Sequence, residues 1–386
     1  MEIIKPGILI DFMRLRRPAM IASFAAIAIS LLSLVFPGPR FGIDFAGGTE
    51  LQIVFAKDIT SAEVRQALVD LGFDQPDVVS VEGSTREYIL RVKEVSALSD
   101  KEAQSMQSAL AKVVGEEGVE RFRVSPGGDK LSFTLSTELP AQQVRTILEE
   151  AGGKIRSVEK FGTFDDHRYE AHLVGIGDEI YAKLDAALGD RGPEQLLRVE
   201  WVGPKAGEQL RNSAVKSILY AVGFIMIYIA FRFDLRFAPG AIVSLFHDVI
   251  ITLGIYVLLR REVNLTTVAA LLTVLGYSIN DTIVVYDRIR ENAGRFKDKT
   301  MRELINISTS QVLSRTIITS ATTLISIVPF MIWGTPAIQD IVFALAIGII
   351  VGTYSSIYVS APLTEWVDRR WFQKPAAKAT PKKAPA

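Results

Sequence analysis

The sequence predicts a multi-pass α-helical membrane protein of six spans carrying one external α+β region. Three observations predict it. Hydrophobic residues make up 49% of the chain while 22% are charged, and mean hydropathy is +0.26, so the charge must be segregated. Six long apolar stretches are almost free of it. The one long polar segment, residues 39–212, repeats a single order of elements.

Apolar stretches of about 18 residues or more, the length that crosses a bilayer as a helix, cover residues 18–36, 214–231, 237–259, 263–286, 315–333 and 341–363. Lys5, Arg14, Arg16 and Arg17 precede the first. Arg288, Arg290, Arg295, Lys297, Lys299 and Arg302 follow the fourth, and Arg369, Arg370, Lys374, Lys378, Lys382 and Lys383 follow the sixth. All three groups fall on one side, against Arg260 and Arg261 in the short loops opposite. The positive-inside bias therefore places both termini in the cytoplasm and residues 39–212 outside. The first stretch begins like a signal peptide, but it is too long for a typical apolar signal region and lacks a small-x-small cleavage pattern, so it reads as an uncleaved anchor.

The expected division is a cytoplasmic N-terminus (1–17), a first span (18–36), two external repeats (39–127 and 128–212), a five-span bundle (213–364) and a basic tail (365–386). The tail from 373 on is Lys, Pro and Ala with nothing to bury, which predicts disorder and weak attraction to anionic lipid. Lys+Arg and Asp+Glu balance at 43 each, against nucleic acid as a partner, and the absence of cysteine excludes disulfides. Three histidines and no cysteine leave no expected metal site; no cofactor and no enzymatic activity are expected.

Within 39–212 each half reads strand, helix, strand, strand, helix, strand. The first half has strands at 49–55, 78–81, 88–92 and 120–124 with helices at 61–71 and 100–114. The second has strands at 130–136, 155–160, 168–173 and 196–202 with helices at 140–151 and 179–188. This is the βαββαβ pattern of a ferredoxin-like fold, its strands alternating apolar and polar as half-buried antiparallel strands do, and duplication accounts for it. Exposed edges of such sheets can pair with an extended client chain without reading its sequence; equally, the sheets can simply pack on a partner. The run Gly42-Ile-Asp-Phe-Ala-Gly-Gly48 is not a phosphate loop, because no Lys-Ser/Thr follows and the glycines precede a strand. They suit tight turns and positive φ.

In the fourth span Asp281 is an acid in an apolar run, where an ionised carboxylate is costly and therefore usually functional. Thr273, Tyr277, Ser278, Asp281 and Arg288 share a helical face. Arg315, Thr319, Thr322, Thr323 and Ser326 form a polar stripe in the fifth span. Gly348, Gly352, Ser356 and Ser360 recur at four-residue intervals in the sixth, letting helices approach closely. His247 and Asp248 sit deep in the third span as a second candidate pair, open also to a plain packing role. Arg315 stands at the start of its apolar stretch, where it can snorkel to headgroups, while Asp281 lies about 10 Å deeper than Arg288.

Phe41-Gly-Ile-Asp-Phe-Ala-Gly-Gly-Thr49, Val202-Gly-Pro204, His247-Asp248, Gly276-Tyr-Ser-Ile-Asn-Asp-Thr282 running to Asp287-Arg-Ile-Arg-Glu-Asn292, and Ser314-Arg-Thr316 with Thr319-Ser-Ala-Thr-Thr323 together resemble the SecF family of the bacterial Sec protein-export machinery. The resemblance covers all six spans and both ends of the external region. It implies a resistance-nodulation-division-like bundle in the inner membrane, with SecD and the protein-conducting Sec channel as partners and unfolded preprotein as client. It also implies proton passage at the positions of Asp281 and Arg315. One departure is the doubled external unit, where the family commonly carries a single shorter one. On this reading neutral Asp281 shares hydrogen bonds with Asn280, Ser278 or a SecD group, and ionised Asp281 attracts Arg315; His247 and Asp248 complete the candidate proton pathway. The alternatives are a proton-driven exporter of small molecules or lipids, and a passive scaffold for the channel.

Overall fold

The computed structural model describes residues 8–81, 83–95, 98–125, 128–161 and 167–372; the tail expected to be disordered, 373–386, lies outside them. Elements run α1 (Arg16–Val35), β1 (Arg40–Phe41), α2 (Ile43–Ala46), β2 (Gly48–Phe55), α3 (Ser61–Asp70), β3 (Asp77–Ser80), β4 (Glu87–Val92), α4 (Asp100–Val114), β5 (Val119–Val124) and β6 (Lys130–Leu135). They continue with α5 (Ala141–Glu150), β7 (Ile155–Phe161), β8 (Arg168–Leu173), α6 (Ile176–Leu188), β9 (Pro193–Val202), α7 (Pro204–Arg232), α8 (Ala238–Leu258), β10 (Glu262–Val263), α9 (Leu265–Arg295), α10 (Met301–Trp333), α11 (Pro336–Ser355) and α12 (Ala361–Val367). The chain divides into two compact units, Phe41–Asn212 and the remainder.

Among the described residues six helices are long and apolar enough to cross a membrane, as expected. All but α8 outrun their apolar stretches. Asn264 caps α9 by accepting from the Thr267 N–H at 3.0 Å. Thr300 and Glu303 form a reciprocal capping box at the start of α10, so α10 begins at Met301, about 21 Å along the helix before Arg315. Arg315 is thus mid-helix rather than at a helix end. The last span, Pro336–Phe372, passes through a π-type turn at Ser356–Ser360 between α11 and α12.

Small residues set the helix spacing in this unit, as their four-residue recurrence predicts. A Cβ on Gly348 would stand 2.2 Å from a Val274 methyl, and one on Gly352 3.1 Å from Ser278 Cβ, so α11 lies directly on α9. Gly254 of α8 meets Ser30 of α1 in the same way. The faces of α1, α7 and α10 turned away from these contacts are largely uncovered.

The external unit holds two four-stranded sheets, ordered β3-β4-β2-β9 and β5-β6-β8-β7. Each has the ferredoxin-like arrangement, but the expected boundary between 39–127 and 128–212 does not hold. Strand β9 pairs antiparallel with β2, Thr49 facing Trp201, and closes the first sheet from the far end of the segment. Everything from α4 to β8 is inserted between β4 and α6 as a second sheet in permuted order. Side-chain fit decides this. Ile176, Ile180 and Leu184 of α6 pack on Leu51, Ile53 and Leu90, while Met106 and Leu110 of α4 pack on Leu131, Leu148 and Leu173, and Phe122 of β5 stacks on Phe133 at 5.9 Å. The two arrangements read as the same linear string of elements, so periodicity cannot tell them apart.

The glycines before β2 behave as expected. Gly47 has φ +76° and its Cβ position lies 3.0 Å from Pro204 Cα; Gly48 has φ +121° with Val92 O 2.5 Å from where a Cβ would sit. Any side chain there would block β2 from the chain on either side.

Candidate functional site

Two buried acids lie in the membrane unit, each bonded by a hydroxyl of α11. Asp248 of α8 is wholly buried. Its Oδ2 accepts from the Ser278 hydroxyl of α9 and, at 2.7 Å, from the Ser355 hydroxyl of α11, while Oδ1 meets His247 Nδ1 at 2.7 Å. Beyond the ring, Nε2 lies 3.2 Å from Ser23 Oγ, which lies 3.1 Å from the Tyr354 hydroxyl. Tyr354 donates at 2.8 Å to the Ala19 carbonyl, which can only accept.

That last bond orders the chain of donors. With the Tyr354 proton spent on Ala19, Ser23 donates to Tyr354 and Nε2 donates to Ser23. The line from the Ala19 carbonyl through Tyr354, Ser23 and His247 to Asp248 is continuous, each polar group in it having a partner.

Asp281 is placed differently. It lies one turn along α9 from Ser278 and is 3% exposed. It accepts from Thr353 of α11 at 3.4 Å, and Ser320 of α10, 2.8 Å from Thr353, is a second hydroxyl beside it. One long bond and one neighbouring hydroxyl are poor support for a buried carboxylate with several lone pairs to satisfy. The two carboxyls thus differ in support, Asp248 being met by two hydroxyls and an imidazole at short range and Asp281 by hydroxyls at longer range.

Several expected partners stand elsewhere. Ser278 serves Asp248, not Asp281, and Asn280 is exposed on the other side of α9. Arg315 is exposed and forms no ion pair with Asp281 among the described residues. The inward stripe of α10 is Thr316, Ser320 and Thr323, so of the expected stripe Thr323 lies on it. The hydroxyls of Thr319, Thr322 and Ser326 bond carbonyls of their own helix, and Thr323 accepts from Tyr277 at 3.2 Å. Arg288 is held by Gln311 and Glu291. The reading from sequence missed Ser23, Ser320, Thr353, Tyr354 and Ser355. The only signal for the α11 group was its hydroxyl cluster beside Gly352.

The family model for "Protein export membrane protein SecD/SecF, C-terminal" matches residues 185–370, the stretch that carries both acids, and that for the "SecD/SecF GG Motif" matches 32–59 around Gly47 and Gly48. A protein translocase subunit SecF from Magnetococcus marinus is 36% identical over 374 residues, covering 96% of this chain and 97% of the relative. The chain belongs to the SecF family. A SecF from Vibrio alginolyticus is 33% identical over 94% of the chain and 91% of its own length. The crystal structure of SecDF from Thermus thermophilus, described as a translocon-associated membrane protein, superposes with a TM-score of 0.63 at 29% identity, covering 94% of this chain and 39% of that longer one. Six spans and SecF membership make this a multi-pass protein of the bacterial inner membrane, a membrane subunit of the Sec protein-export system.

Proposed function

We propose that this chain, together with a SecD-type partner, uses the proton motive force to promote export and release of unfolded preprotein on the outer side of the inner membrane, with both termini cytoplasmic and residues 39–212 outside. The observation that carries the reading is Asp281, buried in a bundle spaced by glycines and supported only by the hydroxyls of Thr353, at 3.4 Å, and Ser320. Protonated, it fits its site and keeps α9, α11 and α10 linked through Thr353 and Ser320. Deprotonated, it needs water or a cation, and Arg315 on the uncovered face of α10 is the cation that would answer it. Because Gly348 and Gly352 seat α11 firmly on α9, α10 is the element free to answer. One charge crossing the membrane potential supplies about 2.3 kcal/mol per 100 mV, enough to bias an element whose two packings differ by a few kcal/mol.

Membership of the SecF family favours polypeptide export over the small-molecule exporter, and matching 39% of the SecDF structure supports a half-bundle that works with a second half. Outside, β3, β9, β5 and β7 are edge strands able to take an extended client. The test is export driven by a proton gradient in inverted membrane vesicles holding the complete complex. Asp281→Asn should abolish the gradient-dependent part at normal subunit levels, and undiminished export would overturn the coupling role.

A further inference from the structure

At the end of the membrane unit where α1 begins and α12 ends, a groove opens between these helices. Its mouth, about 400 Å³, is bordered by Arg16, Arg17, Trp366 and Arg369. Past Met20 and Leu363, which border both spaces, it narrows into a slot of about 120 Å³ walled by Phe24, Ile27, Val243 and Val359. Ser23 and His247 form the inner wall of that slot.

The chemistry changes along it. Arg16 is neutralised by Glu365 at 2.7 Å, whereas Arg17 and Arg369 are exposed and have no ion pair among the described residues. The mouth thus keeps two positive charges beside Trp366, whose ring meets Trp371 edge-on at 5.3 Å, an aromatic pairing typical of the headgroup level. The slot is walled mainly by apolar side chains, and its volume of about 120 Å³ is far below that of a helix. Along α1 the distance from Arg16 to Ile27 is about 16 Å, close to half the roughly 30 Å hydrocarbon thickness of a bilayer.

We propose that this groove is a binding site for one anionic phospholipid, its phosphate on Arg17 and Arg369 and one acyl chain in the slot down to Ile27. The two unpaired guanidiniums select an anion, the width selects a hydrocarbon chain, and the length carries that chain from headgroup level to midplane. The chain ends against Ser23 and His247, the outer end of the Asp248 network, and seals it from water. The inference holds whichever way the bundle is oriented and does not depend on proton coupling.

The test uses the full chain with its partner in nanodiscs of phosphatidylcholine with a minor share of phosphatidylglycerol, extracted gently and weighed by native mass spectrometry for retained lipid. The parent should retain phosphatidylglycerol in preference. Retention should fall by roughly fivefold per arginine in Arg17→Gln and Arg369→Gln and be lost in the slot-filling variant Val359→Phe, while Arg290→Gln, a cation outside the groove, leaves it unchanged. Unfolding midpoints confirm that the variants fold. Equal retention of phosphatidylcholine, retention unaffected by both arginine substitutions, or crosslinking of a Phe24→Cys probe to a partner helix in place of lipid would overturn the assignment.

Discussion

Replacing each buried acid by alanine should separate a structural carboxyl from a working one. Asp248→Ala removes three hydrogen bonds at once, from Ser278, Ser355 and His247. Hydrogen bonds within bilayer bundles average roughly 0.6 kcal/mol with a maximum of about 1.7, so the loss should lie between about 2 and 5 kcal/mol. Asp281→Ala removes the long bond to Thr353 and the contact with Ser320, about 1 kcal/mol at the same rate, and also relieves the bundle of a potential buried charge. The assay is reversible unfolding of the purified complex in mixed micelles of increasing sodium dodecyl sulfate, run beside vesicle export. Asp248→Ala should unfold markedly earlier, while Asp281→Ala should unfold close to the parent and yet lose gradient-driven export. Equal destabilisation by the two would refute the unequal support read from the geometry.

Further outcomes follow from the packing. Gly348→Ala brings a methyl into Val274, where the Cβ position is only 2.2 Å from an existing methyl. It should cost about 1–3 kcal/mol as overpacking, and Val274→Ala should recover most of it in the same unfolding assay. Excising 98–174 and closing the gap with a short Gly/Ser linker should leave β2 and β9 protected in hydrogen exchange on the intact chain, because the first sheet is complete without the insert; loss of protection there would contradict the nested topology. The Glu63 carboxyl is pulled from its ordinary 4.5 to about 2 by the Thr60 N–H and hydroxyl and by Arg191. A lowered value means that its contribution is fully present above pH 4.5 and fades as pH falls towards 2. Exchange protection of α3 should therefore drop over that range in the parent and show a weaker pH dependence in Glu63→Gln.

Much of the membrane unit was legible because hydrocarbon leaves few options. A stretch without charges must be a helix with its backbone satisfied, and an acid within it, such as Asp281 or Asp248, must face the protein interior. The row of Gly348 and Gly352 named a close helix contact before any partner was known. What stayed hidden was phase. On α10 polar residues occur on both faces, so composition pointed to Arg315, Thr319 and Thr322 while packing turned Thr316 and Ser320 inward. Ser278 lies one turn from Asp281 in sequence, and only the position of α8 shows that it belongs to Asp248.

The sequence by itself determined six spans, a βαββαβ element string written twice, glycines where β2 must pass close to Val92 and Pro204, and two intramembrane acids. Each of these follows from local rules of hydrophobic length, periodicity or backbone freedom. Only the tertiary structure decided that one sheet is nested in the other, and that Ser278, Ser355 and His247 gather on Asp248 while Thr353 and Ser320 stand beside Asp281. The physical reason is the same throughout. Residue spacing along a chain sets which element forms and which face it offers, but which faces meet depends on side-chain fit between elements far apart in sequence, as when Ile180 and Leu184 choose Leu51 over the strands beside them.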